Sequence, residues 1–187
     1  MNKTALRTLY RQKRKALSSL QIEKLQKQME RQFSIIDTSE ISVAHVFLPI
    51  DKHREVNTWP LIKKLWSNQI IVATSTTHFE SKTMRHWRIG SQSTFTTNPL
   101  GILEPCSTQE VSSKEIDMAF VPLFSFDRYG HRVGYGQGFY DRFLDSCRED
   151  CCFIGLSFFD LGPDIEGLSK HDIPLHQCIT PTKTYRF

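Results

Sequence analysis

The chain has 187 residues, a mass of 21.7 kDa and a formal net charge of +4 at pH 7. This length favours a single domain that spans residues 1–187. The composition, with 39% hydrophobic and 24% charged residues, excludes a disordered or collagen-like chain. No apolar run approaches the roughly 20 residues of a membrane-spanning helix, so we expect a soluble protein with no membrane partner.

Two amphipathic helices are predicted at the start of the chain. Apolar residues at positions 6, 9, 10 and 17 predict a helix over residues 3–17. Ser18 and Gln21 then resemble a capping box, and apolar residues recur at steps of three or four as far as Ile36. Residues 3–36 are therefore expected to form two helices that pack on the domain.

The positive charge is concentrated in these helices. Residues 1–31 carry nine basic and two acidic side chains, whereas the rest of the chain has a net negative charge. Such a segment suits an anionic partner, and on charge alone three interpretations remain open: an import presequence, a nucleic-acid-binding helix, or a site for a nucleoside triphosphate. A solvated helix with a basic outer face explains the charge equally well.

Strand and helix signals alternate after the basic segment. Residues 41–48 and 69–73 are predicted strands, and Asn57 and Thr58 are candidate N-caps for a helix between them. This βαβ pattern predicts an α/β domain with a mostly parallel sheet. The run 116–126 is the most apolar and is the predicted central strand.

The remaining segments are less regular. Residues 84–89, 152–159 and 178–180 are further predicted strands. Turns are expected at Asn98, Pro99, Gly101 and Pro105, and Asp127 to Gly130 suit a type I turn.

A glycine-rich segment, residues 132–142, carries the clearest chemical signal. Three alternate glycines precede a helical pattern, so several N–H groups and the helix N-terminus could cradle a phosphate, although an ordinary glycine-rich turn has the same spacing. The segment lacks the Gly-Lys-Ser/Thr of a Walker A loop, and Phe139 stands where a dinucleotide fingerprint requires glycine. Arg132 can bind phosphate, and Asp141 is either a cation ligand or a helix-dipole acid.

The cysteines and histidines predict little chemistry. The five cysteines form no C-x-x-C pair, so free thiols in a reducing compartment are expected, and the absence of a secretory signal favours the cytoplasm. His45, His78 and His86 show no metal-ligand spacing, and His171 is expected only to order its loop.

The segment VPLFSFDRYGHRVGYGQGFYDRFL, residues 121–144, resembles the signature of the 5-formyltetrahydrofolate cyclo-ligase family. Lys3 and Arg7, Glu55, residues 101–105, His171 with Asp172, and Thr180 extend the resemblance along the chain. The family likeness implies a single three-layer domain similar to sugar-phosphate isomerases and CoA transferases. It also implies ATP- and Mg²⁺-dependent closure of the N5-formyl group of reduced folate onto N10, through a phosphorylated formyl intermediate, with release of ADP and phosphate.

The resemblance also implies site residues and partners. Arg132 and Asp141 would position the reactants and neutralise charge, Asp141 and Asp172 would bind Mg²⁺, and a monomer with no nucleic-acid partner is expected. The residues implied to bind ATP are Lys3, Thr4, Ala5, Leu6, Arg7, Arg132, Val133, Gly134, Tyr135, Gly136, Gln137, Gly138, Phe139 and Tyr140. Those implied to bind folate are Ile50, Glu55, Tyr135, Gly136, Gln137, Gly138 and Phe139.

One chemical role and three departures from the family pattern accompany these assignments. Glu55 is expected to accept hydrogen bonds from the amino and ring N–H groups of the pterin. Gln137, residues 73–75 and Pro181 differ from the pattern that the resemblance suggests, so the resemblance implies no extra phosphate contact at Gln137 and no anion contact at residues 73–75, and Pro181 stands where the family commonly has an acid.

Overall fold

The structure, a computed structural model, describes residues 1–98 and 101–187. The described residues form four α-helices: α1 (Lys3–Ala16), α2 (Ser19–Ser34), α3 (Trp59–Ser67) and α4 (Phe139–Ser146). The N-cap of α1 is Asn2, whose side chain accepts a hydrogen bond from the Ala5 N–H at 2.9 Å. The predicted capping box of Ser18 and Gln21 is confirmed at the start of α2. The two predicted N-terminal helices are therefore confirmed, each ending within two residues of its predicted end.

An eight-stranded sheet forms the centre of the molecule. The strands are β1 (Val43–His45), β2 (Ile71–His78), β3 (Thr83–Ile89), β4 (Phe95–Thr97), β5 (Leu103–Pro105), β6 (Glu110–Val111), β7 (Met118–Pro122), β8 (Ser125–Phe126), β9 (Arg132–Val133), β10 (Cys152–Leu156), β11 (Gln177–Ile179) and β12 (Thr184–Arg186). The sheet order is β12-β11-β10-β7-β1-β2-β3-β6, and β4-β5 and β8-β9 form two separate hairpins. The five strands from β11 to β2 are parallel, and the outer strands are antiparallel. The predicted α/β class with a mostly parallel sheet is thereby confirmed.

Several strand boundaries differ from prediction because pairing partners, rather than local apolar character, determine them. The predicted strand 41–48 is shorter and becomes β1, whereas 69–73 extends to His78 because β2 pairs with β3 along a long hairpin. The run 116–126 is not one strand: β7 ends at Pro122, and β8 pairs with β9 outside the main sheet. The strand β12 was not predicted, and the predicted turn residue Pro99 lies outside the described residues.

Side chains alternate across the central strands and supply a core on each face of the sheet. On β7, Phe120 packs into the core that contains α2 and α3, whereas Ala119 and Val121 face the core that contains α4. Helices thus cover both faces, as a parallel sheet requires. All five cysteines are free thiols, as predicted. Among the described residues, no helix combines the length and the apolar character needed to cross a membrane.

Candidate active site

A cavity of about 590 Å³ lies beyond the carboxyl ends of β1 and β7, where open parallel sheets commonly bind ligands. His45 and Pro122, the last residues of these two strands, are part of its wall. The cavity is also lined by these predicted site residues: Lys3, Arg7, Ile50, Glu55, Arg132, Val133, Gly134, Tyr135, Gly136, Gln137, Gly138, Phe139, Tyr140, Asp141 and Asp172. The structure therefore brings residues from both ends of the chain to one cavity.

Three residues of the predicted ATP-binding set lie elsewhere. Thr4 and Ala5 are exposed, and Leu6 is fully buried in the small core beneath α1. Lys3 and Arg7 are four residues apart and share one face of the helix, whereas the three residues between them point in other directions. ATP contacts from residues 4–6 therefore stay a prediction to which the cavity wall adds no support.

The glycine loop, residues 134–138, connects β9 to α4 and has exposed backbone donors. Gly136 has φ +91° and Gly138, the N-cap of α4, has φ +69°, a region that glycine adopts without strain. Within the described chain, the N–H groups of this loop donate no hydrogen bond to protein acceptors. Arg7 fastens the loop to α1 because its Nε donates to the Gly134 carbonyl at 2.8 Å. Free amides beside a guanidinium suit an anionic ligand.

Arg132 forms an ion pair with Asp141 in the wall of the cavity. Its side chain is 5% exposed, one nitrogen donates to Asp141 Oδ1 at 2.7 Å, and another donates to the Ile173 carbonyl. Burial lowers the pKa of the guanidinium, and the negative charges of Asp141 and Asp172 oppose this shift. Arg132 is thus held as a rigid cation with little access to water.

Asp141 and Asp172 each use a single oxygen for their protein contacts. Asp141 Oδ1 accepts from Arg132 and from the Ile173 N–H at 3.3 Å, and Asp172 Oδ2 accepts from Lys3 and from the Ser169 N–H at 2.6 Å. Burial by itself raises the pKa of Asp172, but the hydrogen bonds and charge of Lys3 lower it overall, so the carboxylate is ionised. The second oxygen of each carboxylate has no hydrogen-bond partner among the described residues.

Asp141 and Asp172 both line the cavity and are the carboxylates that could take part in holding a magnesium ion bound together with a polyphosphate. Mg²⁺ is usually held by one or two carboxylates, water and substrate phosphates rather than by a complete protein cage. In the described chain, no group of three or more His, Cys, Asp or Glu side chains could hold a metal by itself. The ion would therefore depend on phosphate oxygens for part of its coordination.

The other side of the cavity contains a buried carboxylate. Glu55 is 8% exposed; its Oε2 accepts from the Ile50 N–H at 2.8 Å and its Oε1 accepts from the Tyr135 hydroxyl. The Tyr135 ring stacks on His53 with centroids 5.3 Å apart. Burial raises the pKa of Glu55, and the two hydrogen bonds oppose that effect. The carboxylate is thus a preorganised hydrogen-bond acceptor in a part of the cavity wall that is shielded from water.

Sequence reasoning assigned no role to His45 or His86, yet both belong to a hydrogen-bonded chain beneath the cavity. His45 Nε2 lies 2.7 Å from Ser75 Oγ, which lies 2.8 Å from His86 Nδ1. His45 and Ser75 line the cavity. No spacing in the sequence indicates this chain, because its members come from three neighbouring strands. Burial lowers the pKa of both histidines, that of His86 to about 4.

These neutral histidines predict that acid destabilises the fold. An unfolded His86 would bind a proton near its ordinary pKa of about 6.5, whereas the folded side chain binds one only near pH 4, so the unfolded state gains more protons as the pH falls between these values. We expect His86 alone to remove about 2 kcal/mol of unfolding free energy between about pH 7 and about pH 5. Urea unfolding at a series of pH values measures this loss.

His86→Asn keeps a hydrogen-bonding group near Ser75 but does not titrate, so its stability should fall less steeply with acid. His171→Asn is the matched control, because His171 is exposed and should leave the profile unchanged. If the unfolding free energy falls equally steeply with acid in the wild type and in His86→Asn, His86 is not the source of the pH dependence.

Comparison with known proteins gives consistent results along the whole chain. The sequence model of the 5-formyltetrahydrofolate cyclo-ligase family matches residues 1–181. A 5-formyltetrahydrofolate cyclo-ligase of Escherichia coli (strain K12) is 29% identical over 195 residues, covering 96% of this chain and 100% of the relative. A protein of the same name from Haemophilus influenzae is 29% identical over 180 residues, covering 93% and 95%.

Solved structures resemble the fold over its full extent. The NMR structure of Aquifex aeolicus 5,10-methenyltetrahydrofolate synthetase has a TM-score of 0.79 at 25% identity and covers all of this chain and 93% of its own. A 5,10-methenyltetrahydrofolate synthetase from Mycoplasma pneumoniae has a TM-score of 0.75 at 23% identity, with coverage of 96% and 98%, and supports the fold alone.

Proposed function

Because the chain belongs to the 5-formyltetrahydrofolate cyclo-ligase family and is an enzyme, we propose that it cyclises 5-formyltetrahydrofolate to methenyltetrahydrofolate in a reaction that consumes ATP and requires Mg²⁺. One observation carries this proposal. A single cavity contains a buried hydrogen-bond acceptor, Glu55, together with the cations Arg7 and Arg132 and the free amides of the glycine loop. A folate and a triphosphate could therefore lie side by side.

The proposed chemistry converts the formyl oxygen, which is a poor leaving group, into part of a phosphate, which leaves readily. The formyl oxygen attacks the γ-phosphorus and ADP leaves, which converts the amide oxygen into a phosphate ester. N10 then attacks the formyl carbon and loses its proton, and phosphate departs with the former formyl oxygen. The nitrogen–carbon bond that forms closes the methenyl ring, and every atom of the leaving phosphate is accounted for.

In such a transfer the protein mainly positions reactants and stabilises charge. Arg132, Lys3 and Arg7 would contact phosphate oxygens, and the glycine-loop amides would bind the same anion. Asp141 and Asp172 would hold Mg²⁺, which neutralises charge between the phosphates when it is bound. The three cations are ordered before a ligand binds, because Lys3 and Arg132 form ion pairs and Arg7 donates to the Gly134 carbonyl.

Glu55 would orient the pterin. An ionised carboxylate offers about four acceptor positions, and two are used by Ile50 and Tyr135, so two remain for amino and ring N–H groups of the substrate. Ile50, Tyr135 and the rest of the loop would line the same substrate-binding surface. We call Ile50, Glu55 and Tyr135 the folate side of the cavity.

The alternative of a nucleic-acid-binding module receives little support. Three of the six basic residues on α1, Arg11, Lys13 and Lys15, are exposed. The other three are engaged by the protein: Lys3 pairs with Asp172, Arg7 donates to the glycine loop and Arg14 is buried. These charges face inward rather than toward a polyanion in solvent. A phosphosugar isomerase on a similar fold would require no ATP, and the likeness to that fold family stays a prediction, as do a monomeric state and a cytoplasmic location.

The decisive experiment follows methenyltetrahydrofolate absorbance with purified protein, 5-formyltetrahydrofolate, ATP and Mg²⁺. We expect absorbance to rise only when all three are present, and ADP and phosphate to form in equal amounts with the product. Matched reactions omit ATP or replace Mg²⁺ with a chelator. A flat trace from folded protein, or product formed without ATP, would refute the proposal.

Asp141→Asn is expected to weaken the Mg²⁺-dependent part of ATP binding by at least about tenfold, because groups around bound metals commonly contribute that much. ATP binding without Mg²⁺ should change much less. Calorimetric titration of ATP at several Mg²⁺ concentrations separates the two effects.

Asp164→Asn is the control, since Asp164 also pairs with an arginine, Arg128, but on the exposed surface. If Asp141→Asn leaves the Mg²⁺ titration as it is in the wild type, Asp141 is not a ligand.

A further inference from the structure

Arg14 on α1 is a buried cation that does not line the cavity. Its residue is 4% exposed, and its NH2 group donates to the Leu123 carbonyl at 2.6 Å. The guanidinium lies 4.7 Å from the centre of the Phe124 ring. Its Nε is buried and has no hydrogen-bond partner among the described residues. A carbonyl and a ring face only partly replace the lost hydration of this charge.

A charge removed from water is strongly unfavourable unless an opposite charge compensates it. Within the described residues, Arg14 makes no direct ion pair. Arg14 instead acts electrostatically on the buried carboxylate of Glu55. Burial raises the pKa of Glu55, and the positive charge of Arg14 is one of the interactions that lower it. Tyr135 and Phe124 connect the two groups: the Tyr135 hydroxyl donates to Glu55, its ring packs on Phe124, and Phe124 lies under Arg14.

We propose that Arg14 is a positioning residue: it is a buried counter-ion that favours the carboxylate form of Glu55, and through Phe124 it holds Tyr135 beside that carboxylate. The effect on folate rests on the proposed function, whereas the counter-ion relation does not. Phe124 links Arg14 to Tyr135 by packing, because its ring lies under the Arg14 guanidinium and contacts the Tyr135 ring with centroids 4.9 Å apart. The set of Arg14, Phe124, Tyr135 and Glu55 thus forms one packed unit behind the folate side.

Apart from the buried Arg132, whose positive charge lowers the pKa of Tyr140, the other groups that face this unit are neutral or exposed. Burial raises the pKa of Tyr135 and of Tyr140, and the negative charge of Glu55 raises both further, so these phenols stay protonated. Burial lowers the pKa of His53, which stacks on Tyr135, as do the nearby cations. Those cations, besides Arg14, are Lys52, Arg11 and Lys15. All three are exposed, so solvent screens them, and Arg14 supplies the persistent positive charge.

The direct test is a carbon-13 NMR titration of the Glu55 carboxyl in the full chain without ligands, with Glu55→Gln used to assign the signal. In Arg14→Met the midpoint should rise by about one pH unit or more, because a neighbouring positive charge is lost. Arg14→Lys keeps the charge and should stay near the wild type. Arg11→Met is the matched control: Arg11 also lies over Phe124, at 5.5 Å, but is exposed and should not change the midpoint.

An unchanged midpoint in Arg14→Met would overturn the inference whether or not the protein is active. A raised midpoint in a protein that never forms methenyltetrahydrofolate would keep the counter-ion relation and refute the proposed function. In an active protein, Arg14→Met should raise KM for the formyl-folate more than it lowers kcat, with the loss greatest at acid pH. Adding Arg14→Met to Glu55→Gln should then change KM no further.

If Arg14→Met does not fold, stability supplies the test. Neutralising both partners removes the uncompensated buried charge, so the double variant Arg14→Met with Glu55→Gln should unfold at higher urea than the more stable of the two single variants. A double variant that fails to fold, or that is less stable than Glu55→Gln, would refute the pairing.

Discussion

Gly136→Ala is expected to reduce ATP affinity on the order of 100-fold. An L-residue in the left-handed region costs roughly 1–2 kcal/mol, and Gly136 has φ +91°. The new Cβ would also lie 3.0 Å from the Arg7 guanidinium, which would have to shift by a few tenths of an ångström and so weaken its 2.8 Å hydrogen bond to the Gly134 carbonyl. A hydrogen bond from a charged group contributes about 1.5–3 kcal/mol. Calorimetry with ATP and Mg²⁺ measures the combined loss.

Gly167→Ala separates backbone strain from the contact with Arg7. Gly167 has φ +71°, a comparable strain, but an added Cβ would have no atom within 4 Å. This variant should lose stability yet bind ATP as the wild type does. Wild-type ATP affinity in Gly136→Ala would show that the glycine loop does not carry the triphosphate.

Arg132→Met is expected to lower kcat on the order of 1,000-fold, the lower range reported for arginines that stabilise phosphoryl transfer. Its side chain is 5% exposed and is held by Asp141 and the Ile173 carbonyl, so the charge is fixed before the reaction begins. A preorganised cation stabilises the developing charge without reorganisation. Separate kcat and KM values should show that most of the loss lies in kcat.

Arg132→Lys should recover only part of the activity, because an ammonium cannot reproduce the planar pair of donors. Arg128→Met is the control: Arg128 also pairs with an aspartate, but both side chains are more than half exposed. It should leave kcat unchanged. If Arg132→Met folds normally and keeps kcat within about tenfold of the wild type, Arg132 does not act on the transferred phosphoryl group.

The glycine loop and the helices could be predicted because their signals are local. The capping box at Ser18 and Gln21, and the apolar spacing of residues 139–144, depend on atoms a few residues apart. The β2-β3 hairpin could not be predicted over its full length, since β2 ends in the polar run of residues 74–78 and is a strand there because β3 pairs with it.

The candidate site shows the same division. The residues of the glycine loop were indicated by motif, and a resemblance indicated Glu55 and Asp172. Arg14 was missed, although Leu6, Tyr10 and Arg14 are four residues apart and form one buried stripe of α1. The four-residue spacing of this stripe could have indicated that Arg14 is buried. It was overlooked because a basic residue in a basic segment is expected to face solvent.

The sequence by itself determined where helices begin, where glycines permit a left-handed turn, and which family the central motif resembles. Those properties follow from short-range sterics and hydrogen bonding, which act between neighbours in the chain. Only the tertiary structure decided that Lys3 meets Asp172, that Arg14 lies over Phe124 behind Tyr135, and that His45 and His86 share Ser75. Such contacts join residues distant in sequence, and strand order, burial and the exclusion of water select them.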